Sequence, residues 1–326
     1  MVWVQFVLTA LAIVVAAYFL AKYGDVIAIR TGLGGMFIGI LLMAGATSLP
    51  ELLTSMEGVR QGSPNIAAGN LMGSNAFNMV LLAVLDMLHR SQRILRKAAM
   101  RHALTGSLAI MMIGLVLYFM AADIQVQIGF MGLDSIIIIA AYVFALRLIS
   151  GEPRGEKLDK EDIPDDVPKL WVGLLGFSLA AGALILVTPL MVSSAVDIAE
   201  ITGLGTTFVG TALVALVTSL PEMVTTIAAI RIGASDMAIG NLFGSNMFNM
   251  FALGLTDLFY TPGRFLGAID PAFMLVGLFG LLMTAIGLVG NLAKLEKRFW
   301  FIEVDSLMLF ILYFSGMWLL YQRGLG

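Results

Sequence analysis

The chain has 326 residues, 59% of them hydrophobic and only 13% charged, where soluble domains carry about 25% charged residues. That balance excludes a soluble globular enzyme and points to a polytopic membrane protein. With no cysteine there is no disulfide framework, thiolate metal site or thiol nucleophile, and a net charge of −3 implies no charged macromolecular partner.

In chain order, ten apolar runs of roughly 20 residues read as membrane spans. They are 3–21, 32–59, 66–88, 100–121, 125–148, 170–193, 203–230, 237–259, 270–291 and 305–322. The first has no basic residue ahead of it and Lys22 just after it, the pattern of a retained span rather than a cleaved signal peptide. The second carries a proline and a carboxylate in mid-run, in Thr47-Ser48-Leu49-Pro50-Glu51. On a helix, Ala44, Thr47, Ser48 and Glu51 fall at i, i+3, i+4 and i+7 and form one stripe. In the third span Asn70, Ser74 and Asn78 are spaced by four and share a face. The segment RSQRILRKAAMRH reads as a basic loop that holds His102, with His89 just ahead of it; membrane topology explains it without a lipid-headgroup role. Residues 151–169, GEPRGEKLDKEDIPDDVPK, form a polar, proline-bearing linker of mixed sign, too short for a folded domain.

After that linker the chain repeats itself at a constant offset of 171 residues. Thr31-Gly32-Leu33-Gly34 matches Thr202-Gly203-Leu204-Gly205, and Thr47–Glu51 matches Thr218-Ser219-Leu220-Pro221-Glu222. Gly69-Asn70-Leu71 matches Gly240-Asn241-Leu242, and Gly73-Ser74-Asn75 matches Gly244-Ser245-Asn246. Asn78 matches Asn249 and Asp86 matches Asp257, with no gap from 31 to 86. Each half holds five spans, an odd number, so the second half enters the membrane from the opposite face. Inverted repeats of this kind are a signature of secondary transporters, with the substrate site at the bilayer midplane. The expected architecture is an all-α membrane protein of ten transmembrane helices in two inverted five-helix repeats. The first spans 1–150 with its motif at 39–86, the linker 151–169 is cytoplasmic, and the second spans 170–326 with its motif at 210–257. Of the 19 basic residues, 16 fall on one side of this plan; only Arg60, Arg264 and Arg323 fall on the other. The basic side is cytoplasmic by the positive-inside rule, which places both termini outside.

The stripes carry the chemistry. Every member except the two alanines offers a side-chain oxygen, and pseudosymmetry brings Ala215, Thr218, Ser219, Glu222, Ser245 and Asn249 to face their first-half counterparts. Pro50 and Pro221 have no N–H, so the Ala46 and Val217 carbonyls lose their helical donors, and ring strain is expected to open neighbouring carbonyls such as those of Ala44 and Ala215. Carboxylate, hydroxyl, amide and carbonyl oxygens are hard ligands that suit Ca²⁺ and Na⁺. A midplane acid costs about 2.5–3.5 kcal/mol on insertion scales; one divalent or two monovalent ions cancel a pair of them, which makes calcium and sodium competitors for one charge.

The paired segments GATSLPELLTS…GNLMGSNAFN and ALVTSLPEMVTT…GNLFGSNMFN resemble the two repeats of the calcium/cation antiporter superfamily, and within it the prokaryotic sodium/calcium exchangers. The resemblance covers the whole ten-span plan. It implies Glu51 and Glu222 as calcium-binding carboxylates and Thr47, Ser48, Thr218, Ser219, Ser74 and Ser245 as lining sodium sites, joined by the carbonyls of Ala44 and Ala215. It also implies that spans one and six slide as a paired gate across a fixed core. Where the archaeal pattern ends its second repeat in Asp, this chain has Asn249, so Asn78 and Asn249 are amides in both halves and the centre holds two carboxylates. The proton-coupled branch shows a GNxxE-like continuation, whereas Gly69-Asn70 runs on to Ser74, which favours sodium. The implied ligands are Ca²⁺ and Na⁺ in a lipid bilayer, with no resident cofactor, nucleic acid or obligate protein partner. The alternatives are a H⁺/Ca²⁺ or other cation exchanger, and a channel built on the same repeats. An intramembrane enzyme has no HExxH motif and no cysteine to work with.

Outside the stripes, ordinary readings prevail. A single buried glutamate is often a structural hydrogen-bonding residue, but two symmetric ones after proline are not explained that way. Asp86 and Asp257 lie near span ends, where a structural or vestibule role is expected. Glu57 pairs with Arg60, and Asn75 and Asn246, about 100° off the polar face, make interhelix hydrogen bonds.

Overall fold

The computed structural model describes residues 1–31, 44–88, 94–150, 167–204, 208–231, 235–293, 298–299 and 302–322. Most of the linker 151–169, the start of the first motif from 39 to 43 and the loop 89–93 lie outside the described residues.

Helix α1 (Val2–Thr31) is followed by a short α2 (Gly45–Thr47), α3 (Leu49–Arg60), α4 (Pro64–Leu88) and α5 (Ile94–Ala122). A hairpin of β1 (Gln127–Ile128) and β2 (Met131–Gly132) leads into α6 (Leu133–Ser150). Then come α7 (Leu170–Thr202), a π-helical turn at Val209–Val214, α8 (Ala215–Thr218), α9 (Leu220–Arg231) and α10 (Ser235–Thr256). A 3₁₀ turn at Asp257–Phe259 and α11 (Phe265–Ala268) precede α12 (Phe273–Ala293), a second hairpin of β3 (Arg298–Phe299) and β4 (Ile302–Glu303), and α13 (Val304–Gln322).

Among the described residues seven helices are long and apolar enough to cross a membrane. The other three expected spans differ for visible reasons. The span at 32–59 is broken at Ser48 and only partly described, and 237–259 is α10, whose inner face is lined with amides and a serine. The span at 125–148 starts late, because its first residues form the β1–β2 hairpin. His102, expected in a loop, is instead fully buried, because α5 begins at Ile94 and takes it into the bundle.

Helix α4 sits at the centre, with 94% of its apolar window buried, against 17% for α7 and 31% for α1. Around α4 pack α3, α10, α12, α13 and the π-helical turn, while α1 packs chiefly on α7. The large apolar side chains left bare fall on the outer helices, for example Leu8 and Leu11 of α1, Leu179 and Leu186 of α7, and Ile311 and Phe314 of α13. Polar backbone in hydrocarbon must be satisfied internally, and helices with apolar outer faces achieve that.

The 171-residue offset reaches further than the motifs. Both hairpins obey it, residue for residue, and so do Asp134-Ser135 and Asp305-Ser306 at the starts of α6 and α13. In each pair the aspartate Oδ1 accepts the N–H of the serine after it, at 2.8 Å in the first half and 2.9 Å in the second.

Close helix contact at the centre depends on glycine. A Cβ at Gly69 would stand 2.9 Å from the backbone nitrogen of Thr211, and one at Gly73 would stand 2.5 Å from its carbonyl oxygen. The small-xxx-small spacing of Gly69 and Gly73 therefore seats α4 on the π-helical turn.

Candidate metal centre

The two TSLPE segments break their helices at equivalent places. Ser48 (φ −89°, ψ 7°) separates α2 from α3, and Ser219 (φ −88°, ψ 2°) separates α8 from α9. Both lie in the sparsely populated bridge region. Pro50 and Pro221 follow two residues later, where a missing N–H costs little in the first turn of a new helix. The expected opening of the Ala44 and Ala215 carbonyls is not what happens. Ala44 O accepts the Ser48 N–H at 2.9 Å and Ala215 O accepts the Ser219 N–H at 3.1 Å, because proline removes only the bond to the residue four before it. Each also accepts a longer bond from the threonine hydroxyl of its own segment, Thr47 at 3.4 Å and Thr218 at 3.3 Å.

The half-helices carry Glu51 and Glu222, both with 0% exposure, to the middle of the molecule. Each acid is held by the other half. Ser48 Oγ donates to Glu222 Oε1 at 2.9 Å, and Ser219 Oγ donates to Glu51 Oε1 at 3.1 Å. The same exchange runs outward through the neighbouring pairs. Thr47 Oγ1 donates to Asn241 Oδ1 at 3.4 Å, and Thr218 Oγ1 donates to Asn70 Oδ1 at 2.8 Å. Asn78 Nδ2 donates to Asn246 Oδ1 and Asn249 Nδ2 to Asn75 Oδ1, both at 3.0 Å. Every one of these bonds maps onto its mate by the 171-residue offset, so the two halves grip each other by a pseudo-two-fold set of contacts.

What these bonds leave over is equally paired. Glu51 Oε2 and Glu222 Oε2, Ser74 Oγ and Ser245 Oγ, and Asn78 Oδ1 and Asn249 Oδ1 are buried with no hydrogen-bond partner among the described residues. The Ser74 hydroxyl lies close enough to the Glu51 carboxylate to steady it, and Ser245 to that of Glu222, although neither pair makes a well-formed hydrogen bond. An unpaired buried polar atom costs about 1–3 kcal/mol and more when charged, and three symmetric pairs of such oxygens are of the hard kind that a cation such as Ca²⁺ takes as ligands. No group of three or more His, Asp or Glu side chains placed to hold a metal ion occurs among the described residues.

All twelve residues expected at the site are buried, and ten of them meet the opposite half or hold an orphaned oxygen; Ala44 and Ala215 have only their carbonyls to offer. Asn70 and Asn241, on the polar stripes but outside the expected ligand set, serve as struts. Asn70 Nδ2 also donates to Glu51 O at 2.9 Å and Ser55 Oγ at 3.0 Å. Thr284 was not singled out at all; its Oγ1 accepts from Asn246 Nδ2 at 3.2 Å.

The peripheral acids behave structurally. Asp257 accepts the N–H groups of Gly132 at 2.7 Å and Phe265 at 2.6 Å, and Asp86 accepts from Ser306 Oγ at 3.2 Å. Glu57 lies 4.0 Å from Arg60, at the rim. Beside the first hairpin, Arg264 is paired with Asp134 at 2.7 Å and Asp123 at 3.2 Å. Burial lowers the Arg264 pKa, but the hydrogen bond and charge of Asp134, with those of Asp123, outweigh it and hold the guanidinium above its ordinary value.

The family model for the sodium/calcium exchanger protein matches residues 1–151 and 172–322. The sodium/calcium exchanger MaX1 of Methanosarcina acetivorans is 28% identical over 307 residues, covering 80% of this chain and 84% of its own. Among solved structures, the H⁺/Ca²⁺ exchanger CAX superposes with a TM-score of 0.74 at 13% identity, covering 99% of this chain and 85% of that one. The sodium-calcium exchanger NCX_Mj superposes with a TM-score of 0.61 at 23% identity, covering 97% and 99%. These two likenesses are of fold. The match across nearly the whole chain makes this an integral, multi-pass membrane transporter rather than an enzyme, a member of the sodium/calcium exchanger family within the calcium/cation antiporters.

Proposed function

We propose that the chain is a Na⁺/Ca²⁺ antiporter of the cell membrane, working by alternating access. Its ten spans form two inverted five-helix repeats, with both termini outside and the 151–169 linker in the cytoplasm. Glu51 and Glu222 bind Ca²⁺ at the midplane. Thr47, Ser48, Ser74 and Asn78, with Thr218, Ser219, Ser245 and Asn249, supply the neutral oxygens for Ca²⁺ and Na⁺, and the Ala44 and Ala215 carbonyls join them when the Thr47 and Thr218 hydroxyls turn from them to an ion. The observation that carries this reading is the crossed pair Ser48–Glu222 and Ser219–Glu51, which leaves one oxygen of each buried acid without a partner.

The charge arithmetic gives exchange. Two ionised carboxylates in hydrocarbon are stable only when their charge is cancelled, so the empty site resists moving and an ion-filled site is free to switch sides. Hydroxyl and amide oxygens around the acids favour sodium as the counter-ion, since a proton needs only the carboxylates. A proton-coupled exchanger is the second reading, because the fold is shared with the H⁺/Ca²⁺ exchanger CAX.

Reconstituted vesicles separate the two. An outward sodium gradient imposed at equal pH drives ⁴⁵Ca²⁺ uptake, and Glu51→Gln or Glu222→Gln reduces it to the background of empty vesicles while the protein still elutes as a single species. Uptake driven by a pH gradient and indifferent to sodium selects the proton reading, and full transport by either glutamine variant refutes the site.

A further inference from the structure

The crossed contacts of the centre are matched between the halves, but the anchoring of the two clamp asparagines is not. Asn75 and Asn246 clamp the amides of the proposed ligands, Asn249 and Asn78 respectively. Asn246 is itself anchored. The Thr284 hydroxyl donates to Gly280 O at 2.7 Å, so its hydrogen is spent and its oxygen only accepts; it takes Asn246 Nδ2 at 3.2 Å. Asn246 must then present Oδ1 to Asn78. Asn78 must answer with Nδ2, and its own Oδ1 is left facing away from the clamp, without a partner. The Asn75 carbonyl accepts the same Nδ2 more loosely, at 3.4 Å, so Thr284 with that carbonyl fixes the orientation of a ligand two residues away in the chain of bonds.

The position equivalent to Thr284, by the same 171-residue offset, is Ile113. It is buried and offers no acceptor, and Asn75 Nδ2 is a buried orphan among the described residues. The gap it faces, bordered by Met72, Ile113, Met250, Gly277 and Gly280, has no room for a water-sized sphere. Nothing there distinguishes Asn75 nitrogen from oxygen. Turning both amides over keeps the Asn75–Asn249 hydrogen bond, with donor and acceptor exchanged. It places a carbonyl oxygen rather than an N–H in the dry gap, which is the less costly orphan. It also turns the proposed ligand of Asn249 from an oxygen into an N–H donor.

The geometry points to an amide switch: Asn75 and Asn249 invert together with ion occupancy, while Thr284 locks the Asn246–Asn78 pair in the cation-binding sense. With a cation bound, Asn249 Oδ1 faces it. Without one, Asn249 Nδ2 faces the acids and offsets part of their charge. Thr284 is a positioning residue, and Ile113 is the residue that leaves the second half free. The inference rests on the exchanger reading above. It makes the two ligand amides unequal, one rigid and one adaptable, in a centre whose ligands are otherwise symmetric.

The test is ⁴⁵Ca²⁺ binding to the purified, full-length protein, read as the concentration for half-saturation. An orientation populated only part of the time weakens apparent affinity by that fraction. Ile113→Thr restores the missing anchor, with a hydroxyl placed to donate to Ala109 O and accept from Asn75. It is expected to lower half-saturation by roughly three- to tenfold, the worth of one neutral hydrogen bond. Ile113→Val, which changes volume without adding an acceptor, leaves it at the wild-type value. Thr284→Val raises it by a similar factor and Thr284→Ser restores it. A purely structural role gives weaker binding, never tighter, when a hydroxyl is buried at Ile113. If Ile113→Thr binds no more tightly than Ile113→Val, the switch is overturned. Absence of calcium binding in the wild-type arm overturns the exchanger reading itself, and the switch with it.

Discussion

Glu51 and Glu222 are each tied to the opposite half through one serine hydroxyl, and that single bond sets where the free carboxylate oxygen points. A hydrogen bond to a charged group contributes about 1.5–3 kcal/mol. Ser48→Ala and Ser219→Ala are therefore each expected to raise the calcium concentration for half-maximal transport by about ten- to a hundredfold. Because the bonds are mates under the repeat, the two losses should be alike; a serine whose removal leaves half-saturation unchanged is not a support of the acid across from it. The acids, serines and threonines were legible in sequence, since i, i+4 and i+7 spacing survives into the structure as a shared face. Asn75 and Asn246 lie one residue off that face. Their bonds were foreseen as interhelix contacts, but not that they orient Asn249 and Asn78. Thr284 left no signal in the repeat, because its counterpart is Ile113.

At the scale of elements the proline rule located the breaks but not their form. It names the donor that is missing, whereas the structure places the distorted dihedrals at Ser48 and Ser219 and keeps the Ala44 and Ala215 bonds intact. The hairpin before α6 was hidden in the apolar run 125–148 and the one before α13 falls between two runs; two-residue strands give no alternation to read in either place. The glycine spacing was more informative, because close approach demands the absence of a side chain whatever the surrounding hydropathy. With 2.5 Å from a would-be Cβ to the Thr211 carbonyl, Gly73→Ala must push α4 away from the π-helical turn. Overpacking of this kind costs about 1–3 kcal/mol. The expected result is a lower thermal midpoint and strongly reduced exchange together, measured by a melting assay in detergent and by vesicle uptake. Gly62, whose φ is +73° with no atom near a would-be Cβ, lies away from these contacts, and Gly62→Asn should leave exchange unchanged.

For the molecule as a whole, the repeat divides labour unevenly between buried and outer helices. The central α4 and α10 carry the amides and Ser74 and Ser245, with the acid-bearing half-helices packed on them, while α1 and α7 pair with each other and show most of their surface to the outside. That division fits a core that holds ions and an outer pair free to move across it, as the resemblance to exchangers implied. The energetic consequence belongs to the entire fold. Two buried acids destabilise the protein unless a cation sits between them, so ions that bind the folded state raise its stability by about 2.7 kcal/mol at a hundred times the dissociation constant. Calcium should raise the melting temperature, and sodium should do so at higher concentration. Sodium added to a calcium-saturated sample should raise the midpoint little further, far less than the sum of the two separate rises, because both ions compete for one pair of charges. Glu51→Gln removes half of that charge and should abolish the calcium-dependent rise. Midpoints that add when both ions are present would mean separate sites, and the single shared centre between Glu51 and Glu222 would have to be given up.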